Sequence, residues 1–235
     1  LKVAGFQLLT FNLQLATFNF QYNPTMLTLC IQAGGRSSRM GTDKALLDFG
    51  GKPLIQRVLD RLESLAQETI ITTNRPEGYR FLNLPLVPDV IPGRGALGGL
   101  YTALKAASHP LVAVAACDMP FASPEVFAVC RDHLLADPAL DAVIPATEHG
   151  LEPLHAVYRR ETCLPLVEQA IAANKWKLIA WHGEASIRTL PPEEVARLDP
   201  GGLAFLNVNT PEEFESANQR INDSAIRRIG NPLTR

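Results

Sequence analysis

Between Gly34 and Lys44 the chain reads GGRSSRMGTDK. Two adjacent glycines remove side chains where backbone N–H groups must come close to an anion. Arg36, Arg39 and Lys44 then set three positive charges within nine residues. That combination can hold a triphosphate: a guanidinium fork meets phosphate oxygens at two points, and an ammonium adds a compact charge. The string matches neither common nucleotide loop. Lys44 is followed by Ala45 rather than Ser or Thr, and no GxGxxG is present. A lone glycine pair before an arginine is ordinary in a strand–helix turn, so the argument rests on the whole string.

A second candidate is Asp118, which follows the apolar run Leu111–Cys117. A carboxylate at the carboxyl end of a central strand lies where open α/β sheets bind ligands. It suits magnesium, which takes one or two carboxylates and completes its shell with phosphate and water. The competing reading, a helix-cap aspartate, is weakened by Pro120 and by a better cap at Ser123. Asn74 and Asp89 close two further extended segments. Both types favour turns, and both can hydrogen-bond a base or ribose. Asp43 is expected to orient the loop. Asn207 and Asn209, in NVN, divide evenly between closing the site or the metal shell and ordinary strand-end bonding. His155, inside an apolar run, reads first as a core residue and second as support for a substrate.

These residues need a scaffold, and the pattern supplies one from Met26 onward. Leu27–Ile31 is a short apolar strand running into the glycine loop. Pro53–Ala66 carries apolar residues at helical spacing. Thr69–Thr73 and Leu86–Pro88 read as extended, Leu97–Ala107 as a helix and Leu111–Cys117 as a buried strand. Ser123–Leu135 is a helix with Ser123 as N-cap and Pro124 first. Strands at Asp141–Ala146, Leu151–Tyr158 and Ala185–Leu190 alternate with a helix at Glu161–Ala173. Thr210–Ile221 closes the domain, with Thr210 and Glu213 as a capping box. Alternating strands and helices predict a mostly parallel sheet covered on both faces.

The first 25 residues differ from the rest: four of the ten phenylalanines fall there, and Lys2 is the one charge. Polar residues interrupt every apolar stretch, which argues against a signal peptide. The expectation is an extension at 1–25 outside the working domain, with Met26 as the natural first residue. A domain then spans 26–221, and a basic tail occupies 222–235.

Composition narrows the function classes. Hydrophobic residues make up 46% and charged residues 20%, which excludes a largely disordered chain. No apolar run is long enough to span a bilayer. A net charge of −2 gives no global pull on nucleic acid or an anionic membrane. Neither is expected as a partner. The four cysteines are too sparse for a disulfide scaffold and lack metal-knuckle spacing, which fits a reducing, cytoplasmic setting.

Taken together, the motifs resemble one family. QAGGRSSRMGTDKALL is similar to the signature of the molybdenum cofactor guanylyltransferases, with Gln32 where leucine is usual. ITTNR at Ile71–Arg75, PD at Pro88–Asp89 with GALGG at Gly95–Gly99, CDMP at Cys117–Pro120, EPLHAVY at Glu152–Tyr158 and LNVNTPE at Leu206–Glu212 continue the likeness in order. Ala96 stands where proline is usual. The resemblance covers roughly Met26 to Ile221 and implies a Rossmann-like, three-layer α/β/α nucleotidyltransferase fold. It implies transfer of GMP from GTP to the terminal phosphate of molybdenum-bound molybdopterin, giving the guanine dinucleotide cofactor and pyrophosphate. It further implies Mg as cofactor, held by Asp118, and Arg39 and Lys44 at the triphosphate. Asn74, Asp89 and Asp118 would contact the nucleotide through side chains, and Gln32, Ala33 and Gly34 through the backbone. Arg36 falls at a variable position and reads as solvated surface. His155 and its motif would lie beside the pterin. Contacts with a molybdoenzyme or an insertion partner stay open. The nearest alternative is a CTP-dependent enzyme acting on the same pterin, whose loop usually reads LAAG; the second glycine and the Asp43–Lys44 pair favour GTP. A sugar-phosphate or isoprenoid nucleotidyltransferase and a non-catalytic nucleotide-binding module are more distant alternatives.

Overall fold

The protein is described from a computed structural model, over residues 26–33 and 43–229, with side chains as far as Ile221. Its sheet is built from β1 (Leu27–Gln32), β2 (Glu68–Thr72), β3 (Leu86–Val87), β4 (Leu111–Ala116), β5 (Ala142–Thr147), β6 (Gly150–Leu151), β7 (His155–Arg159) and β8 (Ile187–Leu190). The strand order is β3-β2-β1-β4-β7-β5-β6, with β8 paired to β5. Strands β3, β2, β1 and β4 are mutually parallel. β7 runs antiparallel to both β4 and β5, and β8 is parallel to β5. The mostly parallel expectation holds at the centre, and β7 reverses the sheet beyond β4.

Among the described residues six α-helices accompany it: α1 (Leu54–Leu62), α2 (Gly95–Ala106), α3 (Pro124–Ala136), α4 (Arg160–Ala172), α5 (Pro192–Leu198) and α6 (Pro211–Ile229). They form layers because the central strands are buried on both faces. Leu111, Ala113 and Ala115 of β4 pack with Ile55, Val58 and Leu62 of α1 and with Phe127 and Leu134 of α3. Val112 and Val114 turn the other way, onto Leu100 and Leu104 of α2 and Val167 and Ile171 of α4. Strand alternation alone sorts one run of small apolar residues between two cores.

Several boundaries follow from local chemistry. Ser123 caps α3, its hydroxyl accepting from Val126 N at 3.3 Å. Thr210 and Glu213 close the expected box on α6: Thr210 Oγ1 accepts from Glu213 N at 3.2 Å, and Glu213 Oε2 accepts from Thr210 N at 3.0 Å. That helix runs past Ile221 to Ile229, because the first helix breakers are Gly230 and Pro232. The stretch Leu151–Tyr158 splits into β6 and β7. Pro153 has no N–H for a ladder, and a turn forms in which His155 N donates to Glu152 O at 3.0 Å. Helix α5 was not expected, although Pro192 at its start and Glu193 and Glu194 in its first turn are helix-start signals. Among the described residues no helix is long and apolar enough to cross a membrane.

Candidate active site

In chain order β1, β2 and β3 progress in one direction across the sheet, and β4 then joins on the far side of β1. The order therefore reverses between β1 and β4. Such a switch point opens a crevice beyond the carboxyl ends of the strands. The chain places Gln32 and Ala33 at the end of β1 and Cys117 and Asp118 just past β4. Cys117 N donates to Gln32 O at 3.1 Å, stitching the ends of β4 and β1, and Ala33 N donates to Thr72 O at 2.8 Å at the end of β2.

At this crevice Lys44 Nζ meets Asp118 Oδ2 at 2.6 Å. The same ammonium donates to Asn209 Oδ1 at 2.9 Å and more distantly to Val208 O at 3.4 Å. Val208 N in turn donates to Asp118 O at 3.0 Å. Three distant stretches of chain thus converge on one cation and one carboxylate. Both side chains of the ion pair keep some exposure, 17% and 18%, so a ligand can reach them.

Asp43 orients this arrangement rather than entering it. Its Oδ1 accepts from Ala45 N at 3.3 Å, capping the short turn Lys44–Leu46 that carries the lysine. Its Oδ2 accepts from the Tyr79 hydroxyl at 2.8 Å and lies 3.9 Å from Arg75. Tyr79 is fully buried, and burial together with the neighbouring Asp43 carboxylate pushes its hydroxyl well above the usual range. It therefore stays a neutral donor. Tyr79 lies in the 3₁₀ segment Pro76–Leu82, where no spacing in the sequence flagged it.

Beyond the ends of β1 and β2 is a cavity of about 380 Å³. Gln32, Ala33, Thr72, Thr73, Asn74 and Asp89 line it, together with Arg75 and glycines of the α2 approach. Asn74 and Asp89 are locked to each other: Asn74 Nδ2 donates to Asp89 Oδ2 at 2.7 Å, and Asp89 N donates to Asn74 Oδ1 at 3.0 Å. Gly93 and Gly95 approach α2 with φ of +82° and +57°, in the left-handed region that favours glycine.

Of the residues expected at the site, the fold gathers Lys44 with Asp118 and groups Gln32, Ala33, Asn74 and Asp89 around the cavity. Gly34, Arg36 and Arg39 lie outside the described residues. The backbone contacts expected of Gln32 and Ala33 meet a constraint, since the Gln32 carbonyl and the Ala33 N–H are already bonded within the sheet. Asn209 joins the site, whereas Asn207 bonds locally to Phe205 O at 3.3 Å. His155 takes its first reading. It is fully buried, stacked on Phe127 at 4.2 Å and beside Phe205 at 4.7 Å, with Nε2 3.3 Å from Ser123 O. Burial holds its pKa down at about 4. All four cysteines are buried and unpaired, and burial pushes the Cys30, Cys130 and Cys163 thiols up to about 12. They are inert packing residues.

The domain profile described as MobA-like NTP transferase domain matches residues 29–186. The chain belongs to this family. A relative from Pelotomaculum thermopropionicum, named a probable molybdenum cofactor guanylyltransferase, is 36% identical over 199 residues, covering 85% of this chain and 95% of the relative. The molybdenum cofactor guanylyltransferase of Desulfosudis oleivorans is 33% identical over 205 residues, covering 85% and 98%. Among solved structures, molybdopterin-guanine dinucleotide biosynthesis protein A from Archaeoglobus fulgidus superposes with a TM-score of 0.70 at 26% identity, covering 83% of this chain and 99% of that one. The matched region of this MobA-like domain holds every candidate residue named above except Asn207 and Asn209.

Proposed function

We propose that this MobA-like domain transfers GMP from GTP to the terminal phosphate of molybdenum-bound molybdopterin and releases pyrophosphate. The observation that carries the reading is the Lys44–Asp118–Asn209 cluster at the sheet's switch point; a cavity lined by Asn74 and Asp89 lies beyond the ends of β1 and β2. Relatives named for this activity across nearly their whole length support it.

An oxygen of the acceptor phosphate bonds to the α-phosphorus of GTP, and the bridging bond to the β-phosphate breaks. Both reactants are anionic, so the protein's task is positioning and charge stabilisation. Lys44 supplies a positive charge held in place by Asp118 and Asn209. Asp43 fixes the turn from which Lys44 projects. Arg39 carries the same expectation from its sequence motif.

A divalent metal fits the donor set. The described residues contain no group of three or more His, Cys, Asp or Glu placed to hold an ion, so they form no protein-only cage. One carboxylate sharing the ion with phosphates and water is how magnesium binds at nucleotide sites. Asp118 is the residue that would hold it, and Mg²⁺ bound there supplies charge neutralisation along the phosphates. A cytoplasmic setting is in keeping with four unpaired, buried thiols.

The test is pyrophosphate release by the purified chain with magnesium and molybdenum-loaded molybdopterin, comparing GTP with CTP. Acceptor-dependent release from GTP supports the proposal. Preferential release from CTP makes the chain a cytidylyltransferase instead.

A further inference from the structure

The last side chain of β1 is a glutamine with an unspent amide. Gln32 is only 7% exposed, and its Nε2 has no hydrogen-bond partner among the described residues. A buried donor left unmade is costly and rare in a folded protein. Its surroundings have been cleared for it. The amide lies over Gly99 of α2, where a Cβ would stand 2.4 Å from Gln32 Oε1 and 2.8 Å from Cδ. Any other residue at 99 displaces the amide. Gln32 and Gly99 both line the cavity that Asn74 and Asp89 also line. The adjoining backbone is occupied, since Gln32 O accepts from Cys117 N and Ala33 N donates to Thr72 O. Among the described residues at this end of β1, the Gln32 side-chain amide is thus a donor left without a partner.

The geometry points to Gln32 as a specificity-determining residue whose side-chain amide donates to the acceptor edge of the bound purine, O6 or N7 of guanine. This rests on the guanylyltransferase reading and adds a group to it. Guanine sets O6 and N7 acceptors beside N1–H and N2–H₂ donors. The residues lining the cavity include the matching pair: the amide donor of Gln32, itself buried, and the carboxylate of Asp89, one oxygen of which also accepts from Asn74. Leucine, usual at this place in the resembling motif, has a similar size and no donor, so this chain carries a contact that the motif does not.

Calorimetric titration of the full chain, with magnesium, tests the proposal against GTP, 7-deaza-GTP (no N7), 2-aminopurine riboside triphosphate (no O6) and CTP. The variants are Gln32→Leu, which keeps the volume, and Gln32→Glu, which keeps the shape but removes the donor. Both are expected to bind GTP about tenfold more weakly than wild type. The penalty should vanish for the analogue that lacks the atom Gln32 meets. Variants that bind GTP within twofold of wild type overturn the proposal, as does an equal penalty across all four nucleotides. Wild-type chain binding GTP and both purine analogues equally well overturns it without any variant. If wild type prefers CTP, the guanylyltransferase reading fails and takes this inference with it. If wild type prefers GTP while the Gln32 variants are unimpaired, only this inference fails.

Discussion

Lys44 and Asp118 stand 2.6 Å apart, each the other's counter-ion at the mouth of the crevice. That pairing makes Asp118 separable from folding. Asp118→Asn keeps an oxygen that can accept from Lys44, so the melting temperature should stay within a few degrees of wild type. Turnover should fall roughly a hundredfold or more, the scale of losing a group that stabilises developing charge. Steady-state rates with magnesium saturating, read beside a thermal melt, check both halves. His155 makes the opposite kind of prediction. Its pKa drops from 6.5 to about 4 in the fold because burial disfavours the imidazolium. Between those values the unfolded chain binds the extra proton, so stability is lost as pH falls through the window. The full loss is about 3 kcal/mol. Denaturant melts from pH 7 to pH 4 should show this slope, and His155→Gln should flatten it without moving the pH dependence of turnover to match.

At the scale of elements, helix α6 reaches into the site through its cap. Glu213 Oε2 accepts from Asn209 N at 2.7 Å as well as from Thr210 N, so the box that starts the helix also fixes the residue touching Lys44. Glu213→Ala should cost about 1 kcal/mol of stability and lower activity several-fold, less than Asp118→Asn. Chemical denaturation and kinetics on the same preparation separate the two effects. This cap was readable in the sequence because its residues lie three apart. Helix α5 carries an equally local signal in Pro192 and the acids behind it, but its seven residues are too few for a helical apolar period to stand out. The seat of Gln32 was not readable. Nothing local ties residue 32 to Gly99, and only the packing of α2 on the sheet brings them together. Gly99→Ala should accordingly weaken GTP binding by about as much as Gln32→Leu, since its Cβ would evict the amide; titration calorimetry reads the comparison.

On the scale of the whole molecule, the parallel centre of the sheet followed from alternating strands and helices. The sites at its carboxyl edge followed from the polar residues that end each strand. The reversal at β7 did not, because a buried apolar strand looks the same in either direction. His155 was ambiguous for a related reason: an apolar neighbourhood marks a core histidine and a ligand-side one alike until Phe127 and Phe205 are seen stacked against it. What the fold adds is convergence. Lys44, Asp118 and Asn209, far apart in sequence, meet at the switch point between β1 and β4. The most direct test follows the α-phosphate. The full chain is incubated with magnesium, molybdenum-loaded molybdopterin and GTP labelled at the α-phosphorus. The account predicts that the label appears in a pterin guanine dinucleotide, with one pyrophosphate released per label transferred. Label left in GTP or released as free GMP, or transfer seen only when CTP replaces GTP, would contradict it.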